Sequence, residues 1–227
     1  MPIHGDDEFR AGELLHADDF ADVKNWSAEF ERPGRFEAVD GKLVIDVPAG
    51  LTAWFRPKLS GPVVIEYDAK VISAGGPNDR VSDLNCFWMA TDPKHPEDLL
   101  AHPRSGKFAD YNDLLTYYVG LGGNANMTTR FRRYVGDKEN RPLLPEHDLK
   151  DEASLLKANV LQHIKIVAAG ERIRFYRDGK LLFDVYDANP YRVGWFGVRT
   201  VTNHMEISAF RVRKVVGRTT AGEDNGR

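Results

Sequence analysis

The stretch QHIKIVAAGERIRFYRDGKLLFDVYD, residues 162–187, constrains the fold of this chain more than any other. Its apolar residues recur at every second position, the period of a strand with one buried face, and not at the three-to-four spacing of a helix. Two turn pairs, Ala169-Gly170 and Asp178-Gly179, interrupt the alternation. Asp-Gly between alternating runs is a strong hairpin signal, because both residues tolerate the positive φ that a tight turn demands. Strands are therefore expected at 163–167, 172–176 and 180–186.

The same period recurs along the chain. GKLVIDV (41–47) alternates Leu43 and Ile45, and GPVVIEYDAKV (61–71) puts Val63, Ile65 and Tyr67 on one face and Val64, Glu66 and Asp68 on the other. Two further strands follow in GWFGVRTV (194–201) and HMEISAFRVRKV (204–215). Many short strands with regular turn signals predict an all-β chain, a two-sheet antiparallel jelly-roll sandwich. Helical patches are expected only at 96–100 and 150–156. No internal repeat is seen. The chain of 227 residues reads as one domain over 1–216, followed by a polar, Gly-rich tail over 217–227.

Composition narrows the function classes. Lys and Arg number 31 against 34 acids, for a formal charge of −3, which gives no global reason to expect nucleic acid or an anionic membrane as partner. A single cysteine, Cys86, rules out a disulfide framework within the chain. No apolar run approaches the roughly 20 residues that span a bilayer. MPIHGDDEFRAGELL lacks the basic and apolar regions of a signal peptide, so the sequence as it stands reads as cytoplasmic; an export signal removed from ahead of Met1 would make the protein periplasmic or secreted. No H-x-H, C-x-x-C or HExxH spacing occurs, so no cofactor or metal is expected, with structural Ca²⁺ the one chemistry left open.

Two stretches gather aromatics, amides and arginines together: NCFWMATDP (85–93) and YYVGLGGNANMTTRFRRY (117–134). A core excludes the amides and arginines, and a solvated loop excludes the aromatics, but a sugar-binding groove uses both. By parity Asp83, Asn85, Phe87 and Met89 share one face of a strand, opposite Leu84, Cys86, Trp88 and Ala90. The glycines of GLGGNANMTTR allow a backbone path closed to other residues, from which Asn124 and Asn126 present amides and Thr128 and Arg130 enter the next strand. Arg130 and Arg132 line one face with Tyr134, while Phe131 packs inward. Near the C-terminus Arg199, Asn203, His204 and Glu206 lie close in sequence. Histidines on strands are more often structural than catalytic, but His204 has the best company of the seven.

The order of features, with GGPNDRVSDLNCFWMATDP and YYVGLGGNANMTTRFRR at its centre, resembles a YesU-like bacterial family of concanavalin-A-like lectin/glucanase domains over residues 20–212. The resemblance implies a sandwich fold and a setting in the breakdown of uronate-containing polysaccharides. It implies no particular reaction.

The residues favour a lyase over a hydrolase. Retaining glycoside hydrolysis needs two carboxylates about 5 Å apart. Glu66 with Asp68, which lack a third acid on their strand, or Glu206 with Asp83, are the pairs a hydrolase would use. Cleavage by β-elimination needs instead a neutralised uronate carboxylate and a proton acceptor. Arg130 or Arg199, with Asn85, Asn124 or Asn126, would neutralise; Tyr118, Tyr117 or His204 would move the proton. A non-catalytic carbohydrate-binding module is the alternative, with Trp54, Trp88 and Tyr118 as stacking platforms and Asp83 and Thr128 among the polar contacts. The expected partner is a saccharide; oligomeric state is not legible.

Overall fold

The computed structural model describes residues 9–217, so the predicted tail over 217–227 lies almost wholly outside the described residues. The strands are β1 (Phe9–Asp18), β2 (Trp26–Phe30), β3 (Arg35–Val39), β4 (Lys42–Val47), β5 (Leu51–Phe55) and β6 (Leu59–Ser60). They continue with β7 (Val63–Val71), β8 (Leu84–Thr91), β9 (Leu115–Gly122), β10 (Thr128–Val135) and β11 (Asp148–Leu149). The last five are β12 (Gln162–Ala169), β13 (Arg172–Arg177), β14 (Lys180–Tyr186), β15 (Val193–Thr200) and β16 (Asn203–Gly217).

They form two antiparallel eight-stranded sheets, as the alternation predicts. The first runs β14-β13-β12-β7-β16-β4-β3, with β1 also on β16; the second runs β11-β10-β9-β8-β15-β5-β2, with β6 also on β15. Leu43, Ile45, Val63, Ile65, Tyr67, Ile164 and Ile166 from the first sheet meet Leu84, Cys86, Trp88, Val119 and Phe131 from the second in one buried core. At about 25 cal/mol per Å² of apolar surface, burial at this interface contributes most to holding the two layers together. The Asp178-Gly179 turn has φ of 51° and 76°, both in the left-handed region that closes the β13–β14 hairpin. Cys86 is fully buried, and burial pushes its thiol pKa up to about 12, so it packs as an apolar side chain.

Three local expectations change. Residues 96–100 form turns and no helix, and within 150–156 only Glu152–Ser154 makes a single 3₁₀ turn. In β8 the parity inverts near its end: Met89 adopts φ of 50° and joins the core, while Ala90 turns to the opposite face. The cause is a bulge against β15, where Gly194 lies so close that a Cβ would sit 2.3 Å from the Met89 carbonyl carbon. No helix among the described residues is long and apolar enough to cross a membrane, which says nothing about strands.

The outer face of the second sheet, turned away from the core, carries its own aromatic cluster of Trp54, Phe87, Tyr118, Tyr134 and Trp195. Segment 92–114 lies over part of it, contributing Leu99, Tyr111 and Leu114. A buried ion pair, Arg104 Nη2 to Asp92 Oδ2 at 2.7 Å, ties the segment together, and the Arg104 amide, donating to Glu29 of β2 at 2.8 Å, anchors it to the sheet. What the segment leaves uncovered is where the site lies.

Candidate functional site

One cross-strand row explains the cavity on this face. Register places Thr52, Arg199, Asn85, Gly120, Arg130 and Asp148 side by side across β5, β15, β8, β9, β10 and β11. Side chains on such a row stand about 4.8 Å apart and fill the surface, except where one is missing. Gly120 is that position. A Cβ there would meet the Tyr118 hydroxyl at 3.0 Å and its ring carbons at 3.1 and 3.4 Å, so the Tyr118 ring lies over Gly120 where a side chain would stand.

The resulting cavity has a volume of about 230 Å³. Gly120, Tyr118 and Phe108 line it, with Asp83, Gly123, Asn124 and Thr128 grouped at the β9–β10 turn. Arg130, Arg132 and Arg141 supply the rest. A larger cavity of about 460 Å³ lies near Leu15, His16, Lys58, Pro62 and Lys214, but it holds none of the expected site residues and is lined mainly by aliphatic groups.

The loop at the Asn124 end is unusual. Gly122, Asn124, Ala125 and Asn126 all have positive φ, between 54° and 67°, so the chain makes a left-handed turn between β9 and β10. Glycine and asparagine adopt this region at low cost; alanine does not. Asn126 holds the turn by donating to the Leu156 carbonyl at 3.0 Å and accepting its amide at 2.9 Å. Asn124 donates to Thr128 Oγ1 at 3.0 Å and is exposed at the rim.

Five of the eleven expected residues thus meet in the cavity: Asp83, Tyr118, Asn124, Thr128 and Arg130. The other six do not. Trp88 is fully buried between the sheets, and Trp54 is fully buried under segment 92–114 with its indole N–H donated to Glu29 at 2.9 Å, so neither offers a stacking face. Asn85 is 2% exposed, beside Arg199 on the row. Arg199 is 1% exposed; it donates to Thr52 Oγ1 at 2.8 Å and to the Gly106 carbonyl at 3.0 Å, and lies against the rings of Phe108 and Tyr111. Asn126 is consumed by the loop. His204 stands on the outer face of the first sheet, its Nδ1 3.0 Å from Asp79, and not in the cavity.

The hydrolase pairs separate in the same way. Glu66 and Asp68 flank His163 on the first sheet, at 3.7 and 2.8 Å. Glu206 is bound there by Lys42 and Lys70, both at 3.0 Å, while Asp83 lies on the second sheet side. Tyr117, the other proton carrier considered, is fully buried and donates to Asp187 at 2.6 Å.

Positive charge prevails in the cavity. Arg130 is neutralised by Asp148 through a two-point contact of 2.7 and 3.2 Å, which holds the Asp148 carboxyl below its ordinary range. Burial lowers the pKa of Arg132, and the neighbouring charges of Arg141 and Arg130 add to this. Burial pushes the Tyr118 hydroxyl well above the usual phenol value, with Tyr134 and Asp83 adding to the rise and Arg199 opposing it. The phenol is thus protonated at neutral pH. Among the described residues no group of three or more His, Cys, Asp or Glu side chains could hold a metal ion. Parity placed Arg132 on the correct face. Phe108 and Arg141 come from stretches that read as loop, and no periodic signal marked them.

Comparison with known proteins places the fold. A protein of unknown function with a galectin-like fold from Bacillus subtilis has a TM-score of 0.70 at 17% identity, covering 92% of this chain and 100% of that one. β-Agarase B from Zobellia galactanivorans has a TM-score of 0.56 at 11% identity, covering 96% and 99%. A carbohydrate-binding module from Bacillus subtilis has a TM-score of 0.51 at 13% identity, covering 89% and 100%. At these identities the likeness is one of fold, a jelly-roll sandwich that hosts carbohydrate-related proteins of several kinds. No curated protein matches the chain in sequence. A family model described as Domain of unknown function (DUF6250) matches residues 45–210. The chain belongs to that family.

Proposed function

We propose that this protein binds an acidic saccharide in the cavity on the outer face of its second sheet. The observation that carries the reading is the charge balance there: three guanidiniums line the space with one carboxylate, Asp83. Phe108 and Tyr118 add ring faces, and Asn124 and Thr128 add hydrogen-bonding groups suited to hydroxyls. A uronate unit presents a carboxylate, hydroxyls and an apolar ring face, so each group finds a counterpart.

The second reading is cleavage of that saccharide by β-elimination. It is favoured by one feature, the Tyr118 hydroxyl in the same cavity as the guanidiniums, which could pass a proton to a leaving oxygen, although burial makes it a weaker acid than a free phenol. It is the weaker reading, because no histidine lines the cavity to accept the other proton. Glycoside hydrolysis fits less well, since the cavity lining holds a single carboxylate.

Calorimetric titration with oligomers of galacturonate, glucuronate and mannuronate, beside their neutral counterparts, tests the proposal. Tighter binding of acidic oligomers supports it; equal binding of both forms, or of neither, overturns it. Ultraviolet absorbance of an unsaturated product, present with the wild type and lost in Tyr118→Phe, would turn the binding reading into a lyase.

A further inference from the structure

The cavity has four arginines in or behind it, and they are not equivalent. Arg130 already has its counter-charge in Asp148, with both carboxylate oxygens engaged. Arg199 lies behind Phe108 and Tyr111, almost without solvent contact. Arg132 and Arg141 differ from both. Each is half-buried and lines the cavity, and neither forms an ion pair among the described residues. Arg132 donates one Nη1 bond to the Arg141 carbonyl, and Arg141 reaches the Tyr134 hydroxyl at 3.4 Å. The Arg141 guanidinium also lies 5.5 Å from the Phe108 ring centre and 5.9 Å from that of Tyr134, which restricts where its donors point.

Two like charges held side by side in partial burial repel each other and have lost part of their hydration. An anion placed between them removes both costs. Planar guanidinium forks match a carboxylate in a way that ammonium groups do not.

The strand adds a direction. Thr128, Arg130 and Arg132 alternate along β10 on one face, so the cavity extends about 13 Å from Thr128 to Arg132 at about 3.3 Å per residue. Asp83 and Asn124 stand at the Thr128 end with the hydroxyl-binding groups. We propose that Arg132 and Arg141 form the carboxylate clamp of the cavity, with the saccharide lying along β10, its acid group at that clamp and its hydroxyls toward Asn124, Thr128 and Asp83. This rests on the binding reading above and adds which residues read the charge and which way the ligand points.

The test compares galacturonate and glucuronate trimers with their carboxyl-reduced, neutral counterparts on wild type, Arg132→Gln, Arg141→Gln, Arg132→Lys and Asn124→Gly. Glycine keeps the left-handed backbone at position 124, where φ is 54°. Each Gln variant is expected to lose about tenfold or more in affinity for the acidic trimers and little for the neutral ones. Arg132→Lys should recover part of that loss, and Asn124→Gly should weaken both forms alike. A Gln variant that weakens acidic and neutral trimers equally shows a structural role only and overturns the clamp. So does one that weakens neither while wild type still prefers acid, and in that case the binding reading stands. If wild type itself binds no trimer, the binding reading falls first and the clamp with it.

Discussion

Gly106 shows how one residue seats segment 92–114. Its φ is +80°, and a Cβ there would lie 2.2 Å from the Glu31 amide nitrogen and 2.4 Å from the Phe30 carbonyl carbon. Backbone cannot yield by such amounts, so Gly106→Ala must lift the segment from β2. That movement would also take away the carbonyl that accepts from Arg199, leaving a buried guanidinium short of a partner. Gly106→Ala is expected to cost about 2 kcal/mol or more, read by urea denaturation. A loss below about 0.5 kcal/mol would show that the contact does not hold the segment in place.

At the scale of elements, the left-handed turn between β9 and β10 is the most strained connection near the site. Asn124 and Asn126 tolerate their conformations and make hydrogen bonds in them. Ala125, with φ of 59° and ψ of 43°, is exposed and has no such compensation from its side chain. Left-handed alanine costs about 1 kcal/mol or more, and the extra freedom of glycine in the unfolded chain returns part of that. Ala125→Gly should therefore stabilise the protein by about 0.5 kcal/mol, an unusual direction for a substitution to glycine. Thermal unfolding of the two proteins checks the sign; a lower midpoint in the variant would refute the strain argument.

For the whole molecule, Asp187 is a clamp between layers. It directly follows β14 of the first sheet and accepts from Tyr117 of β9 at 2.6 Å and Arg133 of β10 at 2.7 Å, both in the second. Burial acts to raise its pKa, but the bonds from Tyr117 and Arg133 outweigh burial and hold it below the ordinary 3.8. A depressed carboxyl contributes stability that is complete above the unfolded pKa and lost as pH falls through the folded one. The stability gap between wild type and Asp187→Asn should thus be constant near neutrality and narrow below pH 3.8. Denaturation at neutral and acid pH measures it, and an unchanged gap would mean that the carboxylate charge is not what joins the sheets.

Much of this architecture was legible from local pattern. Period-two alternation in β4, β7, β12 and β13 gave strands and core face together, because each strand repeats its environment every second residue. The Asp178-Gly179 turn was readable because its backbone demand is met by few residue pairs. The same logic brought Tyr118, Arg130 and Thr128 near one another, since they lie on adjacent strands of one hairpin. It failed for Trp54, Arg199 and His204, whereas it set Trp88 with Cys86 on the face opposite Asn85, which is the core face. Parity can say that two residues share a face, but not whether a remote segment covers that face or to which sheet a strand belongs. Burial of Trp54 and Arg199 depends on segment 92–114 folding across strands distant in the chain, and Arg141 reaches the cavity from a loop without periodicity. Alternating side chains thus determined a two-layer β-fold from sequence alone. Contacts between distant segments, which no local pattern encodes, decided which guanidiniums are open to a ligand.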